Sequence, residues 1–240
     1  KKGIRSIVIV TAGFSEVGKK EDEEKIKSLI RRYGIRLIGP NCLGVIDTYN
    51  NLNTIFLPKS RLKLKEKGGI SLICQSGAVG STAIDVMSEQ GIGFSKFVSY
   101  GNALDIDETD LLEYLGKDKT TKVICMYVEE IKNGRKFLKV AKEISKIKPI
   151  ICLKGGITEK GSKATLSHTA SLAGTPEIYG GAFKQAHVLK ADNLRELFNF
   201  AKIFEHKVKP RNSNVQIITN GGGFGVLCVD AIDTLKMNLA

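Results

Sequence analysis

A regular alternation of short β-branched runs with amphipathic segments constrains this sequence more than any other feature. Strands that alternate with helices form parallel pairs, because each crossover returns the chain to the same edge of the sheet. The sequence therefore predicts the α/β class, with a parallel sheet covered by helices on both faces. The predicted strands are residues 6–10, 36–38, 70–74, 94–99, 122–128, 150–153, 188–191 and 215–219, and the predicted helices are 21–33, 79–90, 107–115, 135–146, 176–187, 193–205 and 224–236.

Two polar, basic stretches, residues 58–69 and 206–214, divide the chain into three parts. The middle part, about 70 to 205, holds five strand–helix alternations and is predicted to be a complete flavodoxin-like domain. The flanking parts hold too few strands for complete domains. We therefore expect the chain to be a piece of a longer protein.

The chain is basic, with a net charge of +12 and a pI of about 9.4. Aromatic residues make up only 7% and tryptophan is absent, so stacking platforms for nucleic-acid bases are scarce. A solvated lysine surface, or one that suits polyanions such as nucleotides or CoA, is favoured over a nucleic-acid face. No apolar stretch approaches the roughly 20 residues of a membrane helix. We expect a soluble, cytoplasmic protein with no nucleic-acid or membrane partner.

The five cysteines do not form a CxxC pair, which argues against a zinc site or a redox dithiol. Cys74, Cys125, Cys152 and Cys228 lie in apolar runs and are predicted to be small core residues in a reducing compartment. Cys42 differs, because it lies in a turn after a predicted strand, where a substrate would meet it. A structural role remains the favoured interpretation for Cys42.

Two glycine-rich turns between a strand and a helix have the form of phosphate sites. In residues 75–81 (QSGAVGS), Gly77 and Gly80 allow close approach of the backbone and Ser76 adds a hydroxyl donor. Free N–H groups and the helix dipole make such a turn an anion site, although a tight crossover also needs glycine. Residues 220–225 (NGGGFG) have the same form. Val226 occupies the third glycine position of a dinucleotide fingerprint, so that motif fails.

His168 lies in residues 165–174 (TLSHTASLAG), inside a segment of about twenty residues without helical or strand periodicity. Long segments of this kind are usually functional or disordered. A nucleophilic histidine needs one ring nitrogen held by an acceptor, and Glu129 and Glu130 follow a neighbouring strand on the side where α/β ligands bind. A lone histidine is normally an incidental surface residue. The two phosphate turns reverse that preference and favour a phosphohistidine relay. The nearby turn 156–163 has serine before lysine, so it is not a P-loop.

Six motifs in one order resemble the NDP-forming acyl-CoA synthetases, in particular the alpha subunit of ADP-forming acetate–CoA ligases. They are residues 36–44, 71–78, 91–95, 127–130, 166–174 and 219–223. The resemblance covers essentially the whole chain. It implies that residues 1–66 are the C-terminal part of a Rossmann-like CoA-binding domain, 67–207 a flavodoxin-like phosphohistidine domain and 208–240 the start of a second flavodoxin-like domain.

The resemblance also implies a reaction. Acyl-CoA, phosphate and ADP interconvert with carboxylic acid, CoA and ATP, through an acyl phosphate and a phosphohistidine at His168. CoA, phosphate and ADP or ATP with Mg²⁺ are the implied ligands, and an ATP-grasp beta subunit or fused domain is the implied partner in a hetero-oligomer or dimer. The implied site residues are Glu129, which orients the imidazole (with Glu130 the near alternative), the phosphate cradle Ser76, Gly77, Ala78, Gly221, Gly222 and Gly223, and the substrate turn Asn41 and Cys42.

Two departures from the family pattern limit this inference. Ala170 stands where the family usually has glycine, and both the nucleotide-binding glycine turn of the CoA-binding domain and the ATP-grasp part are absent, so we do not expect turnover from this chain alone. A regulatory acyl-CoA-sensing module is the main alternative, and retention of His168 argues against it. A nucleotide- or RNA-binding α/β protein and a two-component phosphotransfer domain fit the pattern less well. The sequence does not identify the carboxylic acid.

Overall fold

The computed structural model describes residues 3–58, 67–158, 160–161, 175–206 and 210–240 of the chain. It divides into two compact units, Lys1–His206 and Lys207–Ala240. His168 lies outside the described residues, as do residues 59–66 and 207–209 of the two predicted linkers.

The first unit alternates strands and helices as the sequence predicts. Its strands are β1 (Ser6–Val8), β2 (Arg36–Ile38), β3 (Val45–Asp47), β4 (Leu52–Asn53), β5 (Lys67–Cys74), β6 (Phe94–Ser99), β7 (Val123–Val128), β8 (Ile150–Lys154) and β9 (Leu189–Ala191). Its helices are α1 (Lys20–Tyr33), α2 (Gly77–Glu89), α3 (Glu108–Lys117), α4 (Gly134–Ile144), α5 (Pro176–Gln185) and α6 (Leu194–Glu205).

The main sheet has seven strands in the order β4-β3-β6-β5-β7-β8-β9, and β1 pairs with β2 in a separate parallel sheet. The five strands from β5 to β9 are parallel, which confirms the α/β class and the flavodoxin-like arrangement. One edge departs from the parallel arrangement, because β3 runs antiparallel to both β4 and β6.

A short hairpin explains this antiparallel edge. The Asp47 carboxylate accepts hydrogen bonds from the backbone N–H groups of Tyr49 and Asn50, which closes a tight turn between β3 and β4. Strands of three and two residues carry too little alternation to be recognised from the sequence. The hairpin lies within residues 1–66 and extends the main sheet, so the predicted domain limits remain a prediction.

Helices cover both faces of the main sheet. Successive side chains of its central strands point to opposite faces, so both sets of side chains are buried. On one face Leu72 packs with residues of α2 and α6, and on the other Ile73 packs with residues of α3, α4 and α5. Both central strands, β5 and β7, are therefore runs of apolar residues rather than alternating ones. This burial fixes the two strands whose carboxyl ends lead into the candidate site.

Side-chain caps start several of the helices. Asp107 accepts from the backbone N–H groups of Thr109 and Asp110 at the start of α3, and Asn193 accepts from that of Glu196 at the start of α6. Both ends of each predicted helix lie within two residues of the observed ends. The cap residues account for part of that offset, because they precede the first helical residue.

The second unit contains β10 (Asn214–Val215), α7 (Gly222–Thr234) and β11 (Asn238–Leu239). β10 and β11 pair in parallel around the helix. The predicted strand 215–219 is thus shorter than expected, and β11 was not predicted. Within the described parts of both units, no helix combines the length and apolar character that crossing a bilayer requires.

Gly80 lets α2 lie directly on the sheet. A Cβ atom at this position would lie 2.8 Å from Cζ of the buried Phe97 ring. Of the two interpretations that the sequence left open for Gly80, this contact favours the tight crossover between β5 and α2. Gly181 in α5 is exposed and has open space around its Cβ position.

These two helical glycines predict opposite effects of one substitution. We expect Gly80→Ala to lower the free energy of unfolding by about 1–3 kcal/mol through overpacking. We expect Gly181→Ala to raise it by about 0.5–1 kcal/mol, because alanine has the higher helix propensity. Urea unfolding of the two variants measures both effects. Equal stabilisation by both substitutions would contradict the packing role of Gly80.

Candidate functional site

A cavity of about 590 Å³ opens at the carboxyl ends of the central strands of the first unit. Segments that follow β2, β5, β6 and β7 form its walls, together with the start of α1. This is the edge of a parallel sheet at which α/β proteins bind ligands. The lining residues are Ser15, Lys20, Glu23, Glu24, Asn41, Cys42, Leu43, Gln75, Ser76, Gly77, Ala78, Gly101, Asn102, Glu129, Glu130 and Lys132.

The cavity brings together the predicted site residues of the first unit. Ser76, Gly77 and Ala78 meet Glu129 there, and the turn of Asn41 and Cys42 joins them. The nucleophile proposed from the sequence, His168, is not among the described residues. The functional roles of all these residues stay predictions.

The N-terminus of α2 offers two backbone donors to the cavity. Ser76 caps the helix through a hydrogen bond of 3.3 Å from the N–H of Val79 to its hydroxyl. In the described part of the chain, the N–H groups of Gly77 and Ala78 meet no acceptor. A Cβ at Gly77 would make only ordinary contact with Leu43, at 3.7 Å. The helix dipole adds to these donors, so this end of α2 suits an anion.

Glu129 is the acidic residue at the opposite wall. It is only 9% exposed, and its Oε1 accepts a hydrogen bond of 3.2 Å from the hydroxyl of Tyr127. Burial and the neighbouring carboxylate of Glu129 raise the pKa of Tyr127, which keeps that hydroxyl protonated and donating. A carboxylate oriented in this way suits a partner that donates a proton, such as an imidazole N–H.

Asn41 and Cys42 are held by the fold around them. Asn41 has a positive φ of 56°, and its side-chain amide donates to Oδ1 of Asn102 at 3.2 Å. The thiol of Cys42 donates to the carbonyl of Ile9 at 3.2 Å, and burial raises its pKa to about 11. The thiol is thus protonated at neutral pH, which favours the structural role of Cys42 over nucleophilic chemistry.

Among the described residues that line the cavity, carboxylates outnumber lysines, although the whole chain carries a charge of +12. Four of these residues are glutamates and two are lysines, and Lys132 already donates to the backbone carbonyls of Asn102 and Ala103 at 2.7 and 2.8 Å. Lysine charge alone therefore does not make this cavity an anion site. The backbone donors of α2 are the feature that suits a phosphate.

Several cavity residues were not singled out from the sequence, among them Gln75, Asn102 and Lys132. Asn102 joins the Asn41 turn to the start of α1, because its amide nitrogen also donates to Glu16 and Glu23 at 2.6 and 2.8 Å. Each of the three residues follows a predicted strand by one to four positions. Their position directly after predicted strands, at one edge of the sheet, is the signal by which the sequence could have identified them.

The second unit contains the other predicted phosphate turn. Gly221 is the N-cap of α7, and its N–H donates to the hydroxyl of Thr219 at 3.1 Å. A Cβ at Gly222 or at Gly223 would meet no atom within 4 Å. The first turn of α7 is therefore open to an approaching ligand within its own unit.

The described residues hold no cluster of three or more histidine, cysteine, aspartate or glutamate side chains arranged to bind a metal ion.

Comparison with known protein families identifies the family of the chain. The family model described as succinyl-CoA ligase like flavodoxin domain matches residues 67–204. Because this match covers more than half of the chain, the chain belongs to that family. The flavodoxin-like architecture and the resemblance to the NDP-forming acyl-CoA synthetases are both confirmed.

Curated relatives narrow the comparison. The chain is 50% identical over 240 residues to a Methanocaldococcus jannaschii protein named acetate–CoA ligase (ADP-forming), covering all of this chain and 33% of the relative. It is 44% identical over 242 residues to the alpha subunit of acetate–CoA ligase (ADP-forming) II of Pyrococcus furiosus, covering all of this chain and 52% of the relative. The chain thus spans about a third to a half of the length of these relatives.

A solved structure shares the fold. It is the dinucleotide forming acetyl-coenzyme A synthetase 1 of Ca. Korarchaeum cryptofilum, in complex with phosphate and ADP. The TM-score is 0.92 at 38% identity, and the match covers 99% of this chain and 51% of that one.

The raised pKa of Cys42 predicts slow alkylation. At pH 8 we expect iodoacetamide to modify Cys42 at least roughly 100-fold more slowly than a thiol of ordinary pKa, because few Cys42 thiols are ionised. Cys228 was predicted to be a core residue, but it is exposed, so it serves as the internal reference in a mass-spectrometric time course. Comparable rates at the two cysteines would show that Cys42 is a reactive thiol.

Glu108, the first residue of α3, is a buried acidic residue. It is 1% exposed. Its Oε1 has no hydrogen-bond partner among the described residues. Burial raises the pKa of Glu108 from 4.5 to about 7.

This raised pKa predicts a pH-dependent stability. Between about pH 4.5 and 7 the folded chain binds one more proton than the unfolded chain, so the free energy of unfolding falls as the pH rises, by about 3 kcal/mol across the window. We expect Glu108→Gln to remove this slope, because glutamine mimics the protonated acid. Urea unfolding at several pH values measures it, with Glu113→Gln, at an exposed position of the same helix, as the control. An unchanged slope in Glu108→Gln would rule out Glu108 as its source.

Proposed function

We propose that this chain is the alpha-type part of an ADP-forming acyl-CoA synthetase of the acetate–CoA ligase type, acting in the cytoplasm. It interconverts acyl-CoA, phosphate and ADP with carboxylic acid, CoA and ATP. Within it, residues 1–66 form part of a CoA-binding domain, 67–207 the phosphohistidine domain and 208–240 the start of a second flavodoxin-like domain.

One observation supports this proposal above the others. The N–H groups of Gly77 and Ala78, without acceptors in the described residues, share a cavity with the buried carboxylate of Glu129. The two N–H groups suit a phosphoryl group, and the carboxylate suits an imidazole that accepts and returns that group. The names of relatives that match the whole chain at 44–50% identity support the same class of reaction.

The proposed reaction has three transfers. A phosphate oxygen attacks the thioester carbonyl, the carbon–sulfur bond breaks and CoA leaves as the thiol, which gives acyl phosphate. A ring nitrogen of His168 attacks the phosphorus and the carboxylate leaves. A β-phosphate oxygen of ADP then takes the phosphoryl group, which regenerates His168 and forms ATP. The reverse sequence makes acyl-CoA.

The residues of this chain act by holding and orienting. Glu129 accepts the N–H of the imidazole, so that the other ring nitrogen keeps its lone pair for phosphorus. Gly77 and Ala78 donate to the phosphoryl oxygens, and Gly221, Gly222 and Gly223 form the second cradle. Asn41 and Cys42 border the acyl end of the site, where the thiol contributes shape rather than a nucleophile.

The nucleotide and its Mg²⁺ belong to a partner in this proposal. An ATP-grasp beta subunit or fused region holds them, as the resemblance to the NDP-forming acyl-CoA synthetases implies. The functional enzyme is then a hetero-oligomer or a dimer of fused chains.

Phosphate labelling tests the relay. The chain, assembled with its ATP-grasp partner, is incubated with γ-labelled ATP and magnesium. We expect an acid-labile, alkali-stable phosphate on the wild type and none on His168→Ala. Glu129→Gln is expected to slow labelling by about 10²–10⁴-fold, because the imidazole loses the acceptor that orients it.

A second histidine provides the control. His187→Ala changes a histidine at the end of α5 that has no role in the proposal, and it should label at the wild-type rate. Label that persists on His168→Ala would place the phosphate elsewhere. Absence of label on the wild type, with a partner shown to be competent with another alpha chain, would favour an acyl-CoA-sensing module.

A further inference from the structure

The peptide units on both sides of Glu129 are held by side chains from the two neighbouring strands. On the β5 side, Oε1 of Gln75 accepts hydrogen bonds from the N–H groups of Glu129 and Glu130 at 2.7 and 3.0 Å. The hydroxyl of Tyr100 donates to the same oxygen at 3.3 Å. A single amide oxygen thus fixes the turn that carries both glutamates.

Lys154 holds the other side from β8. Its Nζ donates to the carbonyl of Glu129 at 2.7 Å and to that of Gly155, and it lies 4.5 Å from the centre of the Tyr179 ring. The residue is only 3% exposed, and among the described residues no carboxylate lies within ion-pair distance of the ammonium group. Burial lowers the pKa of Lys154.

Burying a lysine ammonium group lowers the stability of the fold unless other groups compensate for its lost hydration. A buried cation normally has a carboxylate partner, whereas in the described part of the chain this one contacts two carbonyls and an aromatic face. Gly155 brings the end of β8 close to the same glutamate, because a Cβ there would lie 2.6 Å from the hydroxyl of Tyr127 and 3.4 Å from Cγ of Glu129. The contacts from β5 and β8 therefore converge on Glu129.

We propose that Gln75 and Lys154 are positioning residues for Glu129. They set the distance of its carboxylate from the donors of α2 and act on phosphoryl transfer through that carboxylate, without contacting the phosphoryl group. The inference rests on the proposed function. Gln75 links the two parts directly, since it binds the Glu129 peptide and precedes Ser76, the cap of α2.

The first test replaces each residue by an apolar one of similar length. In the chain assembled with its ATP-grasp partner, Gln75→Leu and Lys154→Met are expected to slow single-turnover phosphorylation by about 10- to 100-fold, because small misplacements of a catalytic group have effects of that size. We expect kcat to fall with it, while KM for ATP stays within about twofold, since these residues do not bind the nucleotide.

Two control variants have the same types of substitution at positions that do not line the cavity. Lys148 also donates to backbone carbonyls, those of Leu115 and Asp118, and Gln90 accepts from Lys202 at the surface. Lys148→Met and Gln90→Leu should therefore keep the wild-type phosphorylation rate, even where the midpoint of unfolding falls. Equal losses of rate in Lys148→Met and Lys154→Met would mean that general destabilisation is the cause and would overturn the proposal.

A double-mutant cycle separates positioning from structure. If Gln75 acts through Glu129, then Gln75→Leu should slow phosphorylation little further in a Glu129→Gln background. Fully additive losses would overturn the proposal. Circular dichroism verifies folding, and should Gln75→Leu not fold, the cycle of Lys154→Met with Glu129→Gln decides in its place.

The outcomes keep this inference apart from the proposed function. Label on the wild type that depends on His168, together with a wild-type rate in both Gln75→Leu and Lys154→Met, would refute the positioning role alone. Label that does not depend on His168 would refute the relay and the positioning role together.

Discussion

The candidate site depends on the parallel pairing of β5 with β7. The register places Cys74 opposite Tyr127, and the N–H of Gln75 continues the ladder to the carbonyl of Tyr127 at 3.0 Å. Two positions beyond this pair, the two chain segments reach Ser76, the cap of α2, and Glu129. A slip of one residue would move them apart by about 3.3 Å, which is more than a hydrogen bond tolerates. Burial of both strands on both faces holds this register, because a slip would exchange the side chains that pack on each face.

The charges in the cavity follow from the same geometry. Of the lining residues that the structure describes, four are glutamates and two are lysines, so these two lysines do not make the cavity a general anion site. A helix N-terminus provides donors and about half a positive charge without bringing a mobile cation into the site. The carboxylate of Glu129 accepts a hydrogen bond from the hydroxyl of Tyr127. In the proposed relay, Glu129 orients the imidazole while α2 holds the phosphoryl oxygens.

Much of this fold was predictable because its strongest signals are local. The limits of β2 and β6 agree with the sequence pattern, and the helices follow from apolar periodicity and caps. The hairpin of β3 and β4 was missed because its strands are too short to show a period. The residues of the site were predictable as far as they follow strands or begin helices. The hydrogen bonds that hold Glu129 were not predictable. Gln75 and Glu129 are 54 positions apart and meet only through the register of two strands. Lys154 likewise resembles a surface lysine until the packing of Tyr179 above it is known.

The position of Lys154 has a consequence beyond Glu129. Its ammonium group binds the carbonyl of Glu129 on β7 and that of Gly155, the first residue after β8. The segment that carries His168 follows β8 along the chain. The carboxylate proposed to orient the histidine and the near end of the histidine's own segment thus share one anchor. A relay in which His168 carries a phosphoryl group needs a reproducible return of the imidazole to Glu129. A common anchor meets that need, because it fixes the starting point of the segment relative to the carboxylate.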